Sequence, residues 1–359
     1  MNVFDKNSET FLYDYLNNNS PTGFEAPGQK IWLNYIKPFV DNWHLDHYGT
    51  VYGVVNPEAK FKVVIEAHAD EISWFVNYIS DQGFIYVIRN GGSDHAIAPS
   101  MRVDIHTNNG KIKGVFGWPA IHTRKGKDEN LSPTMENIFI DVGAKDKKEV
   151  LEMGIHVGCV ITFDDQLMAI NKNYYAGRAL DNRIGGFCIA QVLRMVKTKK
   201  NKLPFGLYVV NSVQEEIGLR GAEMIANTIK PNVAIITDVT HDSGTPLVNS
   251  KLEGDIKCGE GPVLTYAPAV HNHLLKMIIE VAEKNKIPFQ RSAASRSTGT
   301  DTDAFAYSNG GIPSALISLP LRYMHTTVEM AHKDDIRNVI ELMYQSLLNI
   351  MPDTNFKYF

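Results

Sequence analysis

Four places in the chain put a histidine or a carboxylate beside the end of an apolar run, and a fifth puts an aspartate at the entrance of a helix. FKVVIEA (61–67) leads into His68-Ala69-Asp70-Glu71, and FGLYVVNSV (205–213) leads into Gln214-Glu215-Glu216-Ile217-Gly218. Asp238 stands at the end of VAIITDV (233–239), and SALISL (314–319) runs through 320–324 to His325. Asp181 lies where the loop Ala179-Leu180-Asp181-Asn182-Arg183 enters a helix. Taken singly, each has an ordinary explanation as a turn, a cap or a satisfied polar group. Taken together, they fall on the carboxyl-terminal edge of one expected sheet, where open α/β folds gather their functional side chains. Mixed His, Asp and Glu sets of this kind suit divalent ions.

Charge balance points to a pair of ions. Asp70, Asp181, Glu215, Glu216 and Asp238 in one cleft would repel one another and raise their own pKa values. Two divalent ions carry +4, and three ligand carboxylates with a bridging hydroxide carry −4, as a two-metal hydrolytic site requires. His68 and Asp70, two residues apart on extended chain, face the same side, so Asp70 is placed to orient His68 from behind. The adjacent Glu215 and Glu216 point differently, leaving one to coordinate and the other to handle protons.

The elements that must position these residues are legible as periodicities. The four apolar runs read as strands buried on both faces, as in a parallel or mixed central sheet. Helical spacing recurs in Ile184, Phe187, Ile189, Val192, Leu193 and Val196, in Leu274, Leu275, Ile278, Val281 and Ala282, and in Ile336, Val339, Ile340, Met343, Leu347 and Ile350. This alternation predicts an α/β sandwich. Between 73 and 165 the pattern changes to short alternating runs (FVNYI, FIYVI, VDIHT, KIKGVF, NIFIDV, CVITF) separated by turn signals. We read 73–165 as a small β-barrel or sandwich inserted into a unit formed by 1–72 and 166–359.

With 36 basic and 40 acidic residues among 359, the net charge of −4 leaves no electrostatic footprint for nucleic acid or an anionic membrane. Three cysteines are too few for a disulfide framework. There is no signal-like start and no apolar stretch of spanning length, so a cytoplasmic location is expected.

The series His68-Ala-Asp70-Glu71-Ile, Arg178-Ala-Leu-Asp181-Asn-Arg183, Gln-Glu215-Glu216-Ile-Gly218, Asp238 and Arg322-Tyr-Met-His325 resembles the M42 family of dinuclear metallo-aminopeptidases, the glutamyl and tetrahedral aminopeptidases. Ser20-Pro-Thr-Gly-Phe-Glu25, Ile138-Phe-Ile-Asp141-Val-Gly143-Ala144, Gly259-Glu-Gly261-Pro262 and Gly299-Thr300-Asp301 are similar to further family segments, so the likeness covers nearly the whole chain. Asn182 stands where the family often has a second Asp, and Ser73 where the first motif usually ends in Gly.

The resemblance implies a zinc-peptidase-like three-layer α/β/α sandwich with a mixed central sheet, its insertion a β-rich dimerisation domain. It implies that Asp181 bridges two metals, that His68 and Asp238 complete one site and Glu216 and His325 the other, that Glu215 is the general base and that Asp70 orients. Two divalent ions per subunit are expected, with zinc or cobalt favoured over manganese. The expected reaction removes the amino-terminal residue of a peptide through a metal-bridging water that Glu215 deprotonates. The implied assembly is a homo-oligomer of dimers, up to a tetrahedral dodecamer.

Two alternatives stay open: a related two-metal amidohydrolase acting on a non-peptide amide, and a catalytically degenerate scaffold. A glycosidase would need a separate pair of carboxylates, and the sequence offers none. His271-Asn272-His273 reads as a solvated helix start. His122, beside Trp118-Pro119, is a candidate for reaching a neighbouring subunit's cleft.

Overall fold

The computed structural model describes residues 2–126 and 130–359. After helices α1 (Lys6–Asn17) and α2 (Ala26–Ile36), the chain lays down β1 (Asn42–Leu45), β2 (Val51–Val55) and β3 (Lys62–His68). It then leaves the main sheet for six strands: β4 (Ser73–Ile79), β5 (Ile85–Asn90), β6 (Arg102–Thr107), β7 (Gly110–Gly117), β8 (Phe139–Asp141) and, past helix α3 (Lys147–Glu152), β9 (Val160–Phe163). The main sheet resumes with β10 (Met168–Ile170) and β11 (Tyr174–Gly177), then α4 (Leu180–Thr198), β12 (Gly206–Ser212), α5 (Arg220–Ile229) and β13 (Val233–His241). The short α6 (Ser250–Glu253), β14 (Val263–Tyr266), α7 (Asn272–Asn285), β15 (Gln290–Ala293) and α8 (Asp301–Ala306) follow, and β16 (Ser314–Arg322), β17 (Glu329–His332) and α9 (Lys333–Asn349) complete the fold.

Eleven strands form one mixed sheet, whose centre is the parallel series β12-β3-β13-β16. These are the four apolar runs read from sequence, each buried along nearly its whole length. The sheet continues outward through antiparallel neighbours, β2 and β1 on one side and β17, β11 and β10 on the other. Helix α4 is buried on every side from Leu180 to Val196, packed between β3 and the layer of α1, α2 and α9. Apolar side chains fill most of that surface, and the buried polar ones such as Arg183 and Gln191 are hydrogen-bonded, so α4 stands as the central post of its layer. Helices α5 and α8 pack against each other and against β12, β13 and β16.

Strands β4-β5-β8-β7-β6-β9 close into an antiparallel barrel. All six short runs read between 73 and 165 are present in it. The barrel has its own core, built on Trp74, Val76, Ile85, Val103, Ile105, Phe116, Ile140 and Ile161, separate from the core of the large sheet. Among the described residues, no helix is long and apolar enough to cross a membrane.

Candidate metal centre

The seven residues singled out in the sequence converge at the carboxyl-terminal edge of the parallel strands, except that Asp238 lies inside β13, which runs on to His241. His68 is the last residue of β3, and Glu215 and Glu216 occupy the turn after β12. Asp181 sits in the first turn of α4 with non-helical backbone angles, after Ala179 at φ 57° and before a cis peptide to Asn182. His325 lies in the turn after β16 with φ 62°.

Asp181 occupies the middle. Its Oδ1 is 3.3 Å from His68 Nε2 and its Oδ2 is 3.3 Å from His325 Nε2. His68 Nε2 is also 3.8 Å from Asp238 Oδ1 and 3.9 Å from Glu215 Oε2, while His325 Nε2 is 3.5 Å from Glu216 Oε2. Among the described residues, two donor groups are tight enough to hold an ion, His68–Asp181–Glu216 and His68–Glu215–Asp238. Glu215, expected as the base, therefore also stands within coordinating reach.

Asp70 is buried behind the centre. Its carboxylate accepts the N–H of Glu215 at 3.0 Å, the N–H of Glu216 at 3.2 Å and the hydroxyl of Thr22 at 2.9 Å, and its Oδ1 lies 3.3 Å from His68 Nδ1. One side chain thus ties β3 to the turn that carries both glutamates.

Without cations the electrostatics are unfavourable. Burial pushes Glu215 up to about 10, with His68 opposing and Asp238, Asp301 and Asp181 adding to the rise. Burial also holds Glu216 and Asp238 well above the carboxylate range. His68 is raised well above the ordinary imidazole value, because Glu215, Asp181, Asp70 and Asp238 outweigh its burial. Asp181 goes the other way: despite burial, hydrogen bonds from His325 and His68 hold its carboxyl low. A carboxylate cluster that retains protons is a cluster short of positive charge. Glu216 Oε1 is buried without a hydrogen-bond partner. That orphaned acceptor and the donor chemistry fit divalent cations.

Sequence reasoning missed several supporting residues. Glu329 accepts the N–H of Asp181 at 3.0 Å and that of His325 at 2.8 Å. Glu71 pairs with Arg178 in a buried contact and accepts Ser20 N–H at 2.6 Å. Ser212, the cross-strand partner of His68, sets its Oγ 2.5 Å from a Glu66 carboxyl oxygen and 2.7 Å from one of Asp301. Glu66 had a visible signal, a lone charge inside a run buried on both faces. Asn182 Nδ2 donates to the carbonyl of Thr237 at 2.7 Å, which gives the departure from the family pattern a structural role. His271 stands at the N-cap position of α7 and stacks on Tyr358, while His122 is exposed in a short turn of the barrel region.

The fold and this donor set define a candidate hydrolytic metal centre on an α/β peptidase scaffold. The chain belongs to the M42 glutamyl aminopeptidase family, whose profile matches residues 49–342. It is 32% identical to the lysyl aminopeptidase of Pyrococcus furiosus over 333 residues, 92% of this chain and 94% of that protein. The crystal structure of the TET aminopeptidase from the marine sediment archaeon Thaumarchaeota archaeon SCGC AB-539-E09 superposes with a TM-score of 0.91 at 27% identity, covering 96% of each chain. The dodecameric PhTET1-12s structure matches with a TM-score of 0.84 at 25% identity, over 95% of this chain and 99% of that one.

Proposed function

We propose that this protein is a two-metal aminopeptidase that removes the amino-terminal residue of peptides. The observation that carries the reading is the Asp181 carboxylate, set between His68 and His325 at 3.3 Å from each. His68, Asp181 and Asp238 would hold one divalent ion and Asp181, Glu216 and His325 the other, zinc or cobalt before manganese. When bound, the pair supplies a water acidic enough to react near neutral pH and polarises the scissile carbonyl.

The remaining work falls to the chain's own groups. Glu215 takes the proton of the attacking water and returns it to the departing amine. Asp70 keeps His68 and the backbone of 215–216 in register. The substrate's end residue enters a cleft of about 620 Å³, which is lined beyond the donors by Thr240, His241, Ser297, Thr298 and Met324. We read 1–72 with 166–359 as the catalytic unit and the barrel at 73–165 as the subunit-contact unit of a homo-oligomer. Exposed Tyr78, Ile88, Val115, Leu151 and Val157 on the barrel region support this reading, as does likeness to a dodecameric relative.

The test is a scan of aminoacyl amides and their acetylated counterparts, with and without chelator. Cleavage of free-amine substrates alone, lost with chelator and restored by a divalent ion, is the expected result. Cleavage of blocked substrates would move the assignment to an amidohydrolase, and no cleavage with any metal would leave a scaffold.

A further inference from the structure

We propose that Glu329 is a positioning residue that fixes the spacing of the two halves of the metal centre through the main chain. This inference rests on the metal-centre reading above. Glu329 opens β17 and is 2% exposed. Its carboxylate oxygens serve different partners, Oε2 accepting the N–H of Asp181 and Oε1 the N–H of His325. Those partners are the central carboxylate and the far histidine of the site, carried by α4 and by the turn after β16.

Neither partner is held by regular structure. Asp181 has extended angles inside the first turn of α4, and His325 has a left-handed backbone at φ 62°. For a residue with a side chain, that region costs on the order of 1–3 kcal/mol unless the surroundings impose it. Glu329 supplies the imposing contact on both sides. Its own backbone is fixed by pairing with Gly177 of β11, and the following Met330 pairs with Arg322 of β16. One rigid strand therefore sets where the backbones of two ligands stand, while their side chains meet at 3.3 Å.

The chemistry of the side chain makes this testable. A glutamine at 329 keeps the shape but offers one acceptor oxygen, and its NH₂ would face an N–H, donor against donor. An aspartate keeps the charge but is one methylene too short to span both partners.

The experiment titrates Zn²⁺ into chelator-stripped wild type, E329Q and E329D by calorimetry, and records the rise in Tm that the metal produces. Wild type is expected to take up two ions. Both variants should lose roughly 10-fold to 100-fold in affinity for at least one of them and show a smaller metal-induced rise in Tm, with the metal-free Tm reporting that each is folded. Folded variants that bind both ions like wild type would overturn the proposal. Weak binding by E329Q with full binding by E329D would also overturn it, because charge and not spacing would then be the cause. Should E329Q fail to fold, E329D carries the test, since it keeps the buried charge. Wild type that takes up no ion would instead overturn the metal-centre reading itself.

Discussion

Gly92, just after strand β5 of the barrel, lies so close to His325 that a Cβ placed on it would sit 2.6 Å from both Nδ1 and Cε1 of the imidazole. The barrel is therefore in contact with the metal centre. Its loop is anchored by Asn90, which donates to the carbonyl of Thr22 and to Ser73 Oγ, and by Ser93, which donates to the carbonyl of Ser73. Gly92→Ala should displace the His325 ring. A misplacement near 1 Å costs about 10²-fold in rate, and we expect a loss of that order in kcat/KM with the Tm of the protein unchanged. Activity within a few-fold of wild type would mean that the ring is free to move.

Glu215→Gln isolates proton transfer from metal binding. The variant should retain both ions and lose roughly 10²-fold to 10⁴-fold in kcat. Metal analysis beside steady-state kinetics checks it. Loss of an ion would show that Glu215 coordinates, as its place in the His68–Glu215–Asp238 group allows.

Asp181→Ala removes the group that both histidines face. Elemental analysis after dialysis should find neither ion at stoichiometric occupancy. Two ions retained would refute the bridging role.

Glu25 gives a pH signature outside the ligand set. Burial, with the nearby Asp70 charge, pushes its carboxyl from the ordinary 4.5 up to about 8. The folded pKa is raised, so the folded state holds a proton that the unfolded state releases. The contribution is full below about 4.5 and is lost as pH rises through about 8, at about 1.4 kcal/mol per pH unit across that window. Glu25→Gln can still accept the N–H of Gly23, which Glu25 accepts at 2.7 Å. Its Tm should fall less steeply than that of wild type between pH 5 and 8, as thermal melts of the metal-free proteins would record. Parallel slopes would contradict the assignment.

The donors that the fold brings together were readable from the sequence, and the groups that hold them through backbone contacts were not. His68, Glu216, Asp238 and His325 stood out because an ionisable group beside a buried strand needs a reason, and Asp181 because it stands where a loop enters a helix. Thr22 was noticed only as part of the segment 20–25 that resembles the family, and its hydroxyl bond to Asp70 requires β3 to be in place. Glu329 and Gly92 carry no local signal, since one joins the N–H of the distant Asp181 to that of His325 and the other matters for the side chain it lacks. The fold divides similarly. Strands buried on both faces announced themselves by continuous apolar runs, whereas β1, exposed along all four residues, and β10, exposed along all three, have no pattern to read. Their place comes from hydrogen bonding to a neighbour already in the sheet.

The donors at 68, 181, 216, 238 and 325 are scattered across most of the chain and meet only when β16 has paired with β13 and the following turn has closed. A growing polypeptide cannot offer the complete cradle until its last third has been made. On the two-metal reading, filling of the complete centre is therefore a late event of maturation, able to certify that every layer has been assembled.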